Sequence, residues 1–510
     1  MGCRFVLVLH SHLPYVLGKG RWPFGEEWLH EIVLDTYLPL LESLERLAKD
    51  DIPASVAIGL TPILMEQLKS PDFISKFRKW TDTKQSALRE DACRLPDTQE
   101  ARDLNAFYRD ELDRRRAQFD AMEGDVVGAF ASLQERGRLE VMTSCATHGY
   151  MPLFGNDESR RLQIRTGAAV YQHWMGRRPS GFWLPECGYV PGVERLLAEE
   201  GLRYFIADAA SFDAGSGQEY TAGRISIATS TEAPWTPWDI GSGVAVFLRN
   251  SATSEQVWSR DLGYPGNGAY REFHKRCEGS GWQYWRITSM QTDLGYKELY
   301  RPAEARARTS EHAAHFASLL RGLAADREQS VERPCVIVSS FDTELFGHWW
   351  YEGPTWIEDM MRSLAEQPSV TVAAPLDILG SCALPAGKLR ESSWGAGGGH
   401  DTWLNPETAW IWDNIHDDQR HLIDLLPHLH DDTGDMLLRE ILLEESSDWP
   451  FLITTGTART YATARFLEHH RKVRALFAAV DDREHLPPTG QTGSDDPVFE
   501  YIHLDDIRRA

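Results

Sequence analysis

Paired cysteines, long apolar runs and an excess of positive charge are all missing from this chain. Its seven cysteines (3, 93, 145, 187, 277, 335 and 382) are scattered singly, with no C-x-x-C pair. Neither a disulfide framework nor a thiolate zinc site is therefore expected, and the pattern reads as that of a reduced, cytoplasmic protein. No apolar run reaches membrane-spanning length, and no signal peptide is visible. Met1-Gly2-Cys3 does not continue into an acylation signal, because position 6 is Val where that motif needs Ser or Thr. Acidic residues number 76 against 53 basic ones, a formal charge of −23. That is the wrong sign for steering onto nucleic acid or an anionic membrane, and both partners are excluded on that ground.

What is abundant is tryptophan: 18 residues in a chain of 510, beside 16 Tyr and 20 Phe. Flat apolar rings with a polar edge suit sugar faces as well as cores. At this length one core stops growing, so a large catalytic domain with an appended domain is expected.

Seven short apolar runs recur along the chain, and polar residues follow each of them. Phe5 to Leu9 runs into His10-Ser11-His12, Ala54 to Leu60 into Thr61-Pro62, and Leu139 to Met142 into Thr143 through Tyr150. Gly181 to Leu184 stops at Pro185-Glu186, Tyr204 to Ala207 at Asp208, and Val244 to Leu248 at Arg249-Asn250. The seventh, Cys335 to Val338, leads into S-F-D-T-E-L-F-G-H-W-W-Y-E-G (340–353), which carries Asp342, Glu344, Glu352 and His348.

Helical patterns separate several of these runs, such as Thr36 to Lys49 with Leu38, Leu41, Leu44 and Leu47 on one stripe, and Gly192 to Glu200. Strands alternating with helices imply a parallel sheet, and polar residues at strand C-termini are how a barrel builds an active site on one face. The expected fold is α/β: a (β/α)7 barrel, an incomplete TIM-like barrel, spanning 1–69 and 138–400. Residues 70–137 are charged and helical in pattern and read as an insert subdomain; 401–486 read as a C-terminal helical domain and 487–510 as a loose acidic tail.

Glu186 and Asp342 each lie just past a buried strand. Two carboxylates converging on one face are the minimum equipment for glycoside hydrolysis or transfer, one as nucleophile and the other as acid and then base. Structural ion pairs are the plain alternative. The histidines carry a competing metal reading: His10-x-His12 with His148, Asp208, His348 and His400 could hold zinc. No helical H-E-x-x-H or H-x-x-x-H pair supports it, and no metal or other cofactor is expected. Gly395-Ala396-Gly397-Gly398-Gly399-His400 lacks the G-K-[ST] ending of a phosphate loop and reads as a mobile loop between Trp394 and Trp403. Those tryptophans fit either sugar grasping or a core between domains, as do Trp22 and Trp258.

These motifs resemble glycoside hydrolase family 57 and, within it, the 1,4-α-glucan branching enzymes. H-S-H-L-P (10–14), A-T-H-G-Y (146–150), W-L-P-E (183–186), F-D-T-E-L-F-G-H-W-W-Y-E-G (341–353) and S-W-G-A-G-G-G-H (393–400) match the family's five regions. L-G-Y-P-G (262–266) and S-S-D-W-P-F (446–451) match the branching subgroup.

The resemblance implies a retaining mechanism with Glu186 as nucleophile and Asp342 as acid/base, their carboxyl groups about 5–5.5 Å apart, with Glu344 farther away and supporting, as is Glu352. It also implies substrate contacts at Arg249, Gly266, Trp394 and Asp448, activity-linked aromatics at Trp22, Trp258 and Trp403, and a scissile-bond subsite lined by His10, His12, His148 and His348. The partners implied are α-1,4-glucan donor and acceptor chains, with the protein a monomer or homodimer. The related hydrolases and 4-α-glucanotransferases, and a catalytically weak glucan-binding protein, stand as alternatives. One departure is that the segment Thr221 to Gly243, aligned with a tyrosine-tipped loop of branching enzymes, has no tyrosine and carries Trp235 and Trp238.

Overall fold

The seven apolar runs fold as strands because each alternates its side chains between two apolar layers. In β1 (Cys3–Ser11), Phe5, Leu7 and Leu9 join the layer shared with the surrounding helices, whereas Val6 and Val8 join an inner cluster. The inner cluster also takes Ala57 of β2 (Val56–Leu60), Met142 of β3 (Leu139–Ser144), Trp183 of β4 (Gly181–Trp183) and Ile206 of β5 (Tyr204–Asp208). Beyond the two-residue β6 (Trp238–Asp239), β7 (Ala245–Arg249) adds Phe247 and β8 (Val336–Asp342) adds Val338. All seven long strands thus meet in one lumen, the signature of a barrel rather than an open sheet.

The computed structural model describes residues 2–20, 24–212, 233–259, 262–328, 335–381, 383–429, 431–481 and 496–509. The parallel strands run in the order β8-β1-β2-β3-β4-β5-β7. At the seam between the two ends, the Asn250 amide donates to the Val338 carbonyl at 2.8 Å, and the Ser339 hydroxyl to Thr253 Oγ1 at 2.8 Å. β6 pairs antiparallel with β7, and β9 (Val370–Val372) parallel with the start of β1. The expected (β/α)7 architecture is therefore present, as a barrel closed loosely at one seam.

Helices 71–91 and 99–121 pack on each other through Phe73, Phe77, Trp80 and Phe119, outside the barrel. They share their core with the segment 267–300, which carried no motif in the sequence: Asn105 Nδ2 donates to Tyr284 Oη at 2.9 Å, and Tyr108 Oη to the Gln283 carbonyl at 2.8 Å. Helix 126–135 packs back against β3 and belongs to the barrel wall. Helices 409–425, 431–444, 448–455 and 459–481 form the C-terminal helical region.

Two expectations are corrected. The tail is not loose from residue 496 onward, because Val498, Phe499, Ile502 and Leu504 are buried and Arg465 pairs with Asp496 at 3.3 Å. Its acidic composition hid an apolar residue at every second or third position. The cysteine pattern also misled: Cys3 and Cys335 form a disulfide with Cα atoms 4.6 Å apart, although 332 positions separate them. Each stands at the start of a strand, and β1 and β8 are neighbours in the sheet. Sequence spacing carries no sign of that adjacency. No helix among the described residues is long and apolar enough to cross a membrane.

Candidate active site

Strand alternation delivers the polar residues to the barrel mouth. Val6 and Val8 fill the lumen, so His10 faces its rim; Val336 and Val338 lead likewise to Asp342, Ile206 to Asp208 and Phe247 to Arg249. His10 and Asp342 are register partners across β1 and β8, as are Asp208 and Arg249 across β5 and β7. Arg249 pairs with Asp208 at 3.1 Å and lies over the Trp394 ring, 5.6 Å from its centroid. Asp208 and its partner were thus more informative than the zinc reading of Asp208 alone.

Glu186 lies in a turn straight after β4, at φ 60°, with Cys187 at φ 50°. Left-handed backbone at two successive non-glycine residues is strained, and such strain persists where the surroundings enforce it. Trp394 does so at two points: its indole N–H donates to Glu186 Oε2 at 2.7 Å, and its amide to the Glu186 carbonyl at 3.1 Å. Beyond the turn, Gly188 admits no side chain, since a Cβ there would meet Tyr150 at 2.7 Å.

Burial raises the Glu186 carboxyl to about 8, with Asp342 and Asp448 adding to the rise and the Trp394 N–H opposing it. Burial raises Asp342 to about 6, while Arg249 and His12 act to lower it. Glu186 thus sits in the field of Asp342, with 16% of the Glu186 side chain still open to solvent.

Three histidine rings stack beside this pair: His10 on His148 at 5.0 Å and His12 on His148 at 3.9 Å, with Trp183 stacked on His10 at 4.4 Å. Burial pushes His10 and His148 well below the usual histidine range, so both are neutral. His10 Nδ1 is buried without a hydrogen-bond partner among the described residues, and their other ring nitrogens meet protein atoms. His10 Nε2 meets His148 Nε2 at 3.0 Å, and His148 Nδ1 meets Ser447 Oγ at 2.8 Å. His12 donates from Nε2 to Asp448 Oδ2 at 2.8 Å and contacts Thr61 Oγ1 through Nδ1 at 3.1 Å. Among the described residues, the grouping with metal-ligand spacing is Asp418, Glu444 and His470 in the helical region, away from these strand-end histidines.

The C-terminal helical region completes the mouth. Ser447 and Asp448 reach the barrel histidines directly, the Ser446 hydroxyl donates to Asp448 Oδ2 at 2.6 Å, and Gly149 forms a bridge with Ser446. Ser446 and Ser447 open the S-S-D-W-P-F motif, but nothing local marks two serines as positioning partners of residues some 300 positions earlier. Tyr37 was missed; its hydroxyl donates to Glu344 Oε1. Burial raises Glu344 to about 8.

Other expected site residues fall elsewhere. His348 is buried beside Phe273, its amide bonded to Thr36 Oγ1, and Glu31 and Asp35 act on its charge. That neighbourhood belongs to the helix after β1, so His348 is not one of the stacked histidines. Neither Glu344 nor Glu352 orients it: Glu352 accepts from Tyr300 Oη at 2.7 Å and the Arg271 amide at 3.1 Å. Nor does the Glu352 side chain cap the helix that follows.

Trp403 is 1% exposed and stacks on Tyr150 at 4.3 Å in the core between barrel and helical region, so it offers no face to a sugar. The glycine-rich loop between the two tryptophans is pinned, with Ser393 bonded to Gly395, Gly398 and Gly399. Trp258 is 39% exposed and pairs with Trp349, 40% exposed, at 6.2 Å. Gly266 ends a short turn that begins at Tyr264. Trp22 and residues 221–232 of the aligned loop lie outside the described residues. Trp235 and Trp238 are buried, Trp238 against Phe212, and do not replace a loop-tip aromatic.

The family profile of glycosyl hydrolase family 57 matches residues 6–386. The chain belongs to glycoside hydrolase family 57. A second profile, that of the 1,4-alpha-glucan branching enzyme C-terminal region, matches residues 416–506. Among curated proteins, this family member is 40% identical over 495 residues to a 1,4-alpha-glucan branching enzyme of Thermococcus kodakarensis, covering 92% of this chain and 72% of that protein. Among solved structures, it is similar to the branching enzyme of Pyrococcus horikoshii, with TM-score 0.91, 36% identity and coverage of 99% and 97% of the two chains. It is also similar to an α-amylase of Thermotoga maritima, with TM-score 0.87, 28% identity and full coverage of both chains.

Proposed function

We propose that this family 57 protein is a 1,4-α-glucan branching enzyme that cleaves α-1,4 linkages with retention and transfers the chain to a glucan 6-hydroxyl. The observation that carries the reading is the pair of buried carboxyl groups at the ends of β4 and β8, neither held in an ion pair with Lys or Arg among the described residues, beside a mouth finished by the segment Ser446–Asp448. That segment lies within the part of the chain matched by the branching-enzyme profile. The named relatives from Thermococcus and Pyrococcus support branching over simple hydrolysis.

In this mechanism Glu186 attacks the anomeric carbon while Asp342 protonates the departing glycosidic oxygen, giving a covalent β-glycosyl enzyme; Asp342 then takes the proton of the acceptor hydroxyl. The retaining course needs the two carboxyl groups about 5–5.5 Å apart. It also needs one proton shared by the pair. In the empty site that proton favours Glu186, whose affinity for it is the higher. A docked glycosidic oxygen accepts a hydrogen bond from Asp342, and positive charge developing at the anomeric carbon favours ionised Glu186. Both effects move the proton to where the first step requires it. The Trp394 indole N–H holds the nucleophile by donating to Oε2.

Transfer prevails over hydrolysis where a bound hydroxyl outcompetes water, which calls for acceptor aromatics. The exposed pair Trp258 and Trp349 supplies such a surface. The test is incubation with amylose, followed by debranching and chain-length analysis. New α-1,6 linkages with few new reducing ends are expected; reducing ends without α-1,6 linkages would assign hydrolysis, and neither product would leave a glucan-binding protein.

A further inference from the structure

Asp208 and Arg249 end neighbouring strands and are register partners across β5 and β7, so their side chains leave the barrel mouth side by side. Asp208 is fixed by its own backbone: Oδ1 accepts from the Ala210 amide at 2.9 Å and starts the turn Ala209–Ser211. Oδ2 is left for the Arg249 guanidinium, at 3.1 Å. That guanidinium also lies over the Trp394 ring, whose indole N–H holds Glu186. Asp208 thus connects to the clamp on the proposed nucleophile through a single intervening side chain.

The same guanidinium faces the proposed acid. β7 and β8 meet at the barrel seam, where the Asn250 amide donates to the Val338 carbonyl at 2.8 Å, and Arg249 and Asp342 end those two strands. The buried Cys187 side chain lies in the field of Arg249, Asp208, Glu186 and Asp342 together. Around Asp342 stand His12 from the end of β1, Glu186 and Cys187 from the turn after β4, Glu344 from its own loop and Arg249 from β7. His10, its register partner, is held neutral by burial. Arg249 is the permanent cation of this set, and among the described residues its ion pair is with Asp208 and not with Asp342.

An arginine between two carboxylates has two ways to pair. Joined to Asp342, the guanidinium would keep that carboxyl ionised and leave the first step without its acid. Joined to Asp208 and stacked on Trp394, it leaves Asp342 free to carry a proton. The bond from the Ala210 amide orients Asp208 for the second arrangement in advance. We propose that Asp208 is a positioning residue for glycosyl transfer, which holds the Arg249 guanidinium on Trp394 and out of an ion pair with Asp342. The role of Asp342 rests on the retaining reading; the contact of Asp208 with Arg249 is independent of it.

The test is the pH dependence of kcat and kcat/KM for Asp208→Asn, followed by loss of iodine staining of amylose, which falls on branching and on hydrolysis alike. Asn keeps the shape of the side chain and an acceptor for the Ala210 amide but removes the charge, so Arg249 turns to Asp342. Both limbs of the kcat/KM profile should move to lower pH, the alkaline one by about one pH unit or more, and kcat at neutral pH should fall about tenfold or more. Asp208→Glu should return both limbs toward their wild-type positions. In an Arg249→Gln background, Asp208→Asn should move neither limb, because it acts through that guanidinium. Asp208→Ser, whose hydroxyl can accept from the Ala210 amide, carries the same expectation if the Asn variant does not fold. Unmoved limbs in a folded variant overturn the proposal: with a lower Tm they leave a structural ion pair between β5 and β7, and with a raised KM they leave Arg249 as a substrate contact alone. The retaining reading fails separately, if Asp342→Asn cleaves amylose as the wild type does, and the branching reading if the wild type makes no α-1,6 linkages.

Discussion

Glu186 at the barrel mouth and Glu468 in the C-terminal helical region are both carboxylates whose charge is disfavoured by burial, yet they end far apart. For Glu468, burial is overcome by a hydrogen bond from Lys19 and the charges of Arg465, Lys19 and Lys472, which bring it down to about 2. For Glu186, the nearest basic group is His148 at 3.8 Å, itself held neutral by burial, and the carboxyl stands at about 8. Burial sets the cost of a charge, and the partner decides whether that cost is offset. A buried carboxylate with cations fixes structure; one without them keeps a mobile proton, which is what acid–base chemistry uses.

The sharpest break of that contrast is Glu186→Gln. It should lower the rate of α-1,6 linkage formation by about 10⁴-fold or more, while thermal stability rises. A carboxyl with a raised folded pKa destabilises the protein as pH climbs from its ordinary value, about 4.5, to about 8. The gain in Tm should therefore be full above about pH 8 and absent below about pH 4.5. A fall in Tm at pH 9 would contradict the unpaired assignment.

Asp342→Asn comes next, with a loss of about 10²–10⁴-fold on amylose. A maltosyl donor with a 4-nitrophenyl leaving group needs little protonation, so its cleavage should suffer far less. Equal losses on both donors would take the acid role from Asp342.

Lys19→Met probes the paired side. Lys19 bridges Glu468 and the fully buried Asp496 at 2.8 Å each, so its loss should cost about 2–4 kcal/mol in denaturant unfolding. The low pKa of Glu468 contributes stability that is present above about pH 4.5 and lost as pH falls toward 2, and that acid sensitivity should shrink in the variant, where Arg465 and Lys472 remain.

Trp394→Phe should reduce kcat by about tenfold through loss of the indole bond to Glu186. Trp403→Phe, in the core, should change Tm and leave kcat within about twofold. The smallest effect is a matter of shape. The wild-type kcat/KM profile should rise through about pH 6 and fall through about pH 8, since the pair works with one proton and those two limbs belong to the pair jointly.

The amino-acid sequence by itself determined the strands and what stands at their ends. Alternation within Phe5–Leu9 and Val336–Val338 is a local property; once those residues fill a lumen, the positions of His10 and Asp342 at its mouth follow from the period of a strand. Glu186 was legible for the same reason, one turn past β4.

Tertiary structure alone decided the partners. The bond from His12 to Asp448 joins residues 436 positions apart, and the Cys3–Cys335 disulfide joins residues 332 apart. Trp394 and Trp403 flank one glycine-rich loop, yet one clamps the proposed nucleophile and the other is core. Residue type and periodicity set which face a side chain takes. Which distant side chain meets it depends on the order of strands around the barrel and on where the helical region docks, and neither is written in any local stretch.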